Sequence, residues 1–267
     1  MSSLPTSRFA PRLVGVIHLP PLPGSARGGA AGELPSILER ARRDAAAYAH
    51  GGAGAVIVEN FGDAPFARDR VRAHVVAAMT LAVAAVRQET GLPIGVNVLR
   101  NDVLSAVAVA AMAGGSFVRA NVYVGAAVTD QGVIEGRADE VQQLIRRLGA
   151  DVAVWADVDV KHAAPLAPRP LADLAEDAVE RGLARAIIVT GPATGQPVAT
   201  ADLHAVRRAV PDTPLYVGSG VTVETIADLL GVADGVIVGT AAKVDGVVTN
   251  PVDVERVRAI ARAAAGH

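Results

Sequence analysis

The sequence contains no cysteine, which removes disulfides, thiolate nucleophiles and zinc–sulfur sites at once. Aromatic residues make up only 3% of its 267 positions. There is little to stack against bases, and the core has to be built from Ala, Val, Leu and Ile. Net charge is small as well: 25 basic against 27 acidic residues leave −2, with a pI near 6.3. Such a chain has no electrostatic footprint for nucleic acid or anionic lipid. Long apolar runs are also missing. Mean hydropathy is +0.35, yet the longest uncharged stretch without proline is residues 103–118, split by Gly114-Gly115. That is short of the ~20 residues a spanning helix needs. Residues 1–11 have no apolar centre, and Pro20, Pro21 and Pro23 interrupt the first apolar stretch, so the start reads poorly as a signal peptide. No Asn-x-Ser/Thr is present. We therefore expect a soluble, cytoplasmic protein that is not integral to a membrane and binds no nucleic acid. Lysine is nearly absent too: all basic residues but Lys161 and Lys243 are Arg. Codon bias toward Arg accounts for most of that imbalance, but where the two ammonium groups fall is informative.

What is present is a large apolar fraction, 51%, arranged in a repeating pattern. Short β-branched runs occur at residues 13–18, 55–60, 94–99, 117–122, 152–160, 186–190, 215–219 and 235–239. Most are continuous rather than alternating, as in strands covered on both faces. Between them, residues 34–50, 68–90, 102–114, 138–148, 171–181, 201–210, 223–230 and 251–265 carry spaced Arg and Glu on apolar backgrounds and read as helices. Gly51-Gly52, Gly149 and Gly182 stand where helix-terminating glycines belong, Thr222 can cap the seventh helix, and Asn250-Pro251 reads as a cap followed by a first-turn proline. Eight strands alternating with eight helices over about 250 residues predict a single α/β domain. It would be a (β/α)8 TIM barrel spanning 1–267, with residues 1–12 as an N-terminal extension. A doubly wound open sheet is the runner-up, but its nucleotide fingerprint needs a glycine where Val223 stands.

In such a barrel the chemistry belongs to the loops after the strands. Those positions hold His18; Glu59 and Asn60; Asn97, Arg100 and Asn101; Arg119 and Asn121; Asp157, Asp159, Lys161 and His162; Thr190; Gly218-Ser219-Gly220; and Gly239-Thr240 with Lys243. The opposite loops are short and bland. Glycine loops after the last two strands are where barrels of this kind bind phosphate, with backbone N–H groups and a helix N-terminus facing the oxyanion. Gly218, Ser219, Gly220, Gly239 and Thr240 are the candidates, and Lys243 could add a charge. Alternation puts Asp157, Asp159 and Lys161 on one strand face, with Trp155 deeper on the same side. Carboxylates beside an ammonium and an imidazole supply acid–base chemistry, although a structural ion pair would give the same pattern. Asp157, Lys161, His162 and Glu59 are the candidate catalytic residues. His18, Asn97, Arg119, Asn121 and Asp159 are the candidates for binding substrate. No cofactor is implied. A divalent metal on His18, Glu59, Asp157 and His162 is a minority reading, since no His-x-His or His-Glu-x-x-His spacing supports it. Residues 20–32, first Pro-rich and then Gly-rich, read as a lid, and residues 123–137 as a long loop over the same rim that binds substrate or builds an oligomer interface. We expect a homo-oligomer.

Several blocks taken together resemble the BtpA/SgcQ family: LVGVIHLPPLPG at 13–24, VIVENFGDAP at 56–65, GVNVLRND at 95–102 and TDQGVIEGR at 129–137. DVDVKHAAPL at 157–166, VGSGVT at 217–222, ADGVIVGT at 233–240 and KVDG at 243–246 complete the match, in order, over residues 13–260. The resemblance implies a barrel of the ribulose-phosphate-binding type. The family takes its name from a cyanobacterial factor needed for photosystem I biogenesis. Other members sit with sugar-uptake genes and have been called nucleosidases or sugar-processing enzymes. At Asp159 this chain departs from the family, which often has His there. The combined expectation is a metabolic enzyme working by acid–base chemistry on a phosphorylated or otherwise anionic sugar or nucleoside-like molecule, as an isomerase, lyase or nucleosidase. A non-catalytic assembly factor and a metal-dependent hydrolase are the alternatives.

Overall fold

A computed structural model of the chain describes residues 10–158, 163–191 and 198–266. Eleven strands are seen among them: β1 Leu13–His18, β2 Ala55–Glu59, β3 Ile94–Asn97, β4 Phe117–Ala120, β5 Ala126–Thr129, β6 Gly132–Glu135, β7 Ala153–Val158, β8 Ala163–Pro165, β9 Ala186–Val189, β10 Leu215–Val217 and β11 Gly235–Val238. The helices are α1 Leu34–Gly51, α2 Ala73–Thr90, α3 Val103–Ala113, α4 Ala138–Leu148, α5 Leu171–Glu176, α6 Thr200–Ala209, α7 Ile226–Leu230 and α8 Val254–Ala265. Eight strands close into a parallel barrel in the order β1-β11-β10-β9-β7-β4-β3-β2. The continuous apolar runs explain the closure, because each barrel strand is covered on both faces. Alternate residues face a large shell of Val, Ile, Leu and Ala packed under the helices, and the others fill the barrel.

The inward set includes Val14, Val16, Ala55, Ile57, Ile188 and Ile237, and its centre is aromatic. Trp155 is stacked between Phe117 and Tyr216, with ring centroids 4.0 and 4.2 Å apart. A chain with few aromatics thus spends three of them on one plug, and everything above that plug forms the floor of the mouth.

Several helix ends differ from the sequence expectation, each for a local reason. Helix α2 begins at Ala73 rather than at residue 68, because the Val71 N–H is held by Asp102 Oδ2 at 2.9 Å and Arg72 is extended. Helix α8 is capped by Asp253 rather than by Asn250. The Val252 N–H donates to Asp44 Oδ1 at 2.8 Å, which keeps the chain extended past Pro251. After α5 the backbone widens into a π-turn over Asp177–Arg181. That inserts a residue, so the left-handed position falls on Leu183 (φ 61°) and not on Gly182. Helix α7 starts at Ile226, behind a turn in which Thr222 N–H donates to Thr225 Oγ1. The loop expected at residues 123–137 contains a hairpin: β5 and β6 pair antiparallel, and β8 adds to the other edge of β5. Ala127 and Ile134 of this small sheet pack with Val122, while Val128 and Val133 are exposed. Among the described residues no helix is long and apolar enough to cross a membrane.

Candidate functional site

Strand periodicity carries the inward positions upward from the aromatic plug into a polar layer. On β2, Ala55 and Ile57 lead to Glu59; on β4, Phe117 leads to Arg119 and then Asn121; on β7, Trp155 leads to Asp157. Glu59, Asn97, Arg119, Asn121 and Asp157 are all buried. They form two linked acid sites. Asp157 accepts from Arg119 Nε at 3.1 and 3.2 Å, from Arg119 Nη2 at 3.1 Å and from Asn121 Nδ2 at 2.5 Å. Glu59 accepts from Asn97 Nδ2 at 2.6 Å, and His18 Nε2 lies 3.9 Å from its other oxygen. The His18 ring rests against Phe61, with centroids 4.6 Å apart.

The electrostatics of this layer are nearly balanced. Burial works against the Arg119 charge, but Asp157 and Glu59 outweigh it and hold the guanidinium above its ordinary pKa. Arg100, also buried, goes the other way: desolvation lowers its pKa despite the attraction of Asp157, Asp130 and Glu59. Arg100 stood among the strand-end residues without a role, and the structure couples it to both acids. Asn60 and Asn101 are joinery. Asn60 Oδ1 takes the Leu99 N–H, and Asn101 exchanges two hydrogen bonds with the Val122 backbone.

Across the mouth lie the glycine loops. A Cβ on Gly218 would come within 3.3 Å of Arg119 Nη2 and nearer still to Ile188 and Thr190, while one on Gly239 would meet His18 Cε1 at 2.7 Å. These two positions need glycine because their missing side chains would point into the mouth. Gly220 has φ +70°. Thr240 opens a single 3₁₀ turn, whose first N–H groups have no partner within the turn. Helix α7 does not begin directly after Gly220, so any anion here would meet loop N–H groups rather than a helix end.

Lys243, a candidate phosphate ligand, is placed away from the open mouth. It is fully buried, and its Nζ donates to Asp44 Oδ2 of α1 at 2.8 Å, so its charge is used inside the helical layer. Asp159, Lys161 and His162 lie outside the described residues. Among those described, no group of three or more His, Asp or Glu side chains is gathered to hold a metal ion. Beside Asp157 and Asn121 a cavity of about 190 Å³ opens beneath the small sheet, walled by residues such as Val122, Val124, Ala127 and Leu174.

Residues 10–266 match the model of the BtpA family. The chain belongs to the BtpA family. It is 46% identical over 253 residues to the photosystem I biogenesis protein BtpA of Synechocystis sp., covering 95% of this chain and 88% of that protein. It is 30% identical over 246 residues to the sgc region protein SgcQ of Escherichia coli, covering 92% and 91%. Among solved structures it is similar to (S)-3-O-geranylgeranylglyceryl phosphate synthase from Thermoplasma acidophilum in complex with its substrate sn-glycerol-1-phosphate. The TM-score is 0.60 at 14% identity, over 97% of this chain and 95% of that one. At that identity the likeness shows the barrel alone, so in this BtpA-family chain the site has to be argued from its own residues.

Proposed function

We propose that this BtpA-family barrel is an enzyme acting on a phosphorylated or otherwise anionic sugar or nucleoside-like molecule by acid–base chemistry. One observation carries the reading. A buried layer of Glu59, Asn97, Arg100, Arg119, Asn121 and Asp157 sits at the strand C-termini, opposite loops whose glycines keep the mouth open. Burying two carboxylates and two guanidiniums is costly, and a scaffold would fill the same volume with apolar side chains at less expense. The anionic end of the substrate lies on the backbone of Gly218, Ser219, Gly220, Gly239 and Thr240, with Arg119 beneath Gly218. Asp157 and Glu59, with Lys161 and His162 from the segment after β7, move protons, while His18, Asn97, Asn121 and Asp159 orient hydroxyls. The structural relative in complex with sn-glycerol-1-phosphate shares the barrel fold, which is compatible with an anionic substrate.

Thermal denaturation with inorganic phosphate and a panel of sugar phosphates tests this. At a hundred times its dissociation constant a ligand adds ~2.7 kcal/mol of stability. That shift should vanish in Gly220→Asp, whose carboxylate stands in the anion's place. A phosphate shift unaltered by this substitution removes the assignment. A second reading, a non-catalytic biogenesis factor, is favoured by the name of the Synechocystis relative and by the exposed Val128 and Val133 on the small sheet. Absence of any response to every phosphate would turn the choice toward it.

A further inference from the structure

We propose that the cavity under the small sheet holds a second, neutral end of the substrate: a compact apolar ring bearing one N–H or O–H donor. The inference rests on the reading above, which supplies the anionic end. In barrel order β4 stands diametrically across from β11. A molecule anchored at the Gly239 loop and seated beside β4 therefore spans the mouth, over Arg119 and Asp157.

The cavity's size and lining set the chemistry. Apolar voids of about 150 Å³ accept a benzene ring; this one, at about 190 Å³, takes a substituted ring or a small bicycle and not a second sugar phosphate. Most of the described lining is apolar, Val122, Val124, Ala127 and Leu174 among it, with polar side chains only at Asn121, Asp157 and Arg169, too few for a polyhydroxylated group. Among the described residues the lining holds one cation, Arg169, paired through Nη1 with Asp177 at 2.7 Å, and one carboxylate, Asp157, which opposes a second anion.

Asn121 fixes the polarity of the one specific contact. It lines the cavity, is nine-tenths buried, and its Oδ1 has no hydrogen-bond partner. The amide cannot turn over, because its Nδ2 donates to the Asp157 carboxylate, which accepts only. A lone carbonyl oxygen is therefore left beside an apolar space, and a buried acceptor without a donor is an open demand for one. A ring N–H meets that demand, whereas a ring carbonyl or carboxylate would face oxygen against oxygen.

Indole and indene, equal in shape but with a single N–H in indole, are the probes, with binding followed by ligand-detected NMR. Inorganic phosphate is titrated into the same samples. We expect indole to bind wild-type protein five- to tenfold more tightly than indene, the factor one net hydrogen bond supplies. Ala167→Trp, at an exposed position on the cavity lining, and Val124→Phe should each weaken indole at least tenfold while phosphate still binds. Equal affinity for the two rings, or undiminished indole binding in both variants, overturns the proposal. Should Val124→Phe fail to fold, the exposed Ala167→Trp carries the test. Phosphate binding without indole binding removes the cavity assignment and leaves the enzyme reading standing. Indole binding without phosphate binding keeps the cavity and removes the reading on which it was built.

Discussion

Two buried ion pairs among the described residues are built differently. Lys243 and Asp44 join the last barrel loop to α1. Asp44 Oδ2 takes the ammonium, Oδ1 takes the Val252 N–H, and neither residue reaches solvent. Arg119 and Asp157, also buried, join β4 to β7, yet a cavity borders the aspartate and the neighbouring Asn121 keeps an unmet acceptor. Burial and pairing alone do not separate a strut from a site. The strut's aspartate has both oxygens satisfied within the chain; the site keeps an unfinished valence and room beside it.

The comparison is most sharply tested by breaking the strut. Lys243→Met leaves Asp44 buried against an apolar side chain, which should cost about 3–5 kcal/mol and lower the melting temperature by roughly 10 °C. Adding Asp44→Leu should restore part of that loss, since the unpaired buried charge is removed while the Val252 N–H loses its acceptor. A double variant as unstable as the single one would mean that the pair does more than hold α1. The matching exchange in the mouth, Arg119→Met with Asp157→Leu, should also fold, but it should abolish the thermal response to phosphate. A retained response would equate the two pairs.

Smaller effects sharpen the contrast. Asp157→Asn keeps an acceptor for Arg119 while removing the countercharge, so inorganic phosphate should bind about fivefold more tightly, as expected when ~1 kcal/mol of attraction is uncovered. Calorimetric titration reads this, and unchanged or weaker binding separates Arg119 from the anion. The smallest effect is in pH. Burial lowers the Lys243 pKa below its ordinary 10.5, against the pull of Asp44. The unfolded chain then holds that proton more tightly than the folded one, so stability rises with pH over the range just below 10.5. The melting temperature of the wild type, relative to the Asp44→Leu/Lys243→Met double variant, should climb as pH goes from 8 to 10. A fall would reverse the sign assigned to Lys243.

The barrel was legible because its strands are apolar on both faces, a pattern that needs no knowledge of contacts. Asp157 was legible for a related reason, since period two carries the eye from Trp155 to the next inward position, and Glu59 and Arg119 stood out as polar residues at the ends of apolar strands. Lys243 was not. Its place after Thr240 says nothing about which way the chain turns, and its partner Asp44 is 199 positions away. The small sheet escaped because strands of four residues, with both faces partly apolar, carry too little alternation to stand out from a loop. Arg100 was visible as a residue but not as a coupling, since its link to Asp157 and Glu59 comes from closure of the barrel.

The aromatic plug gives the molecule its own optical reporter. Trp155 is the sole tryptophan, sandwiched between two rings one turn of the pleat below Asp157. Its emission therefore comes from a single depth in the barrel. Followed in denaturant, the signal times the opening of the barrel and ignores fraying of the outer helices. Followed during titration, it registers whatever settles on the floor of the mouth, with no label attached.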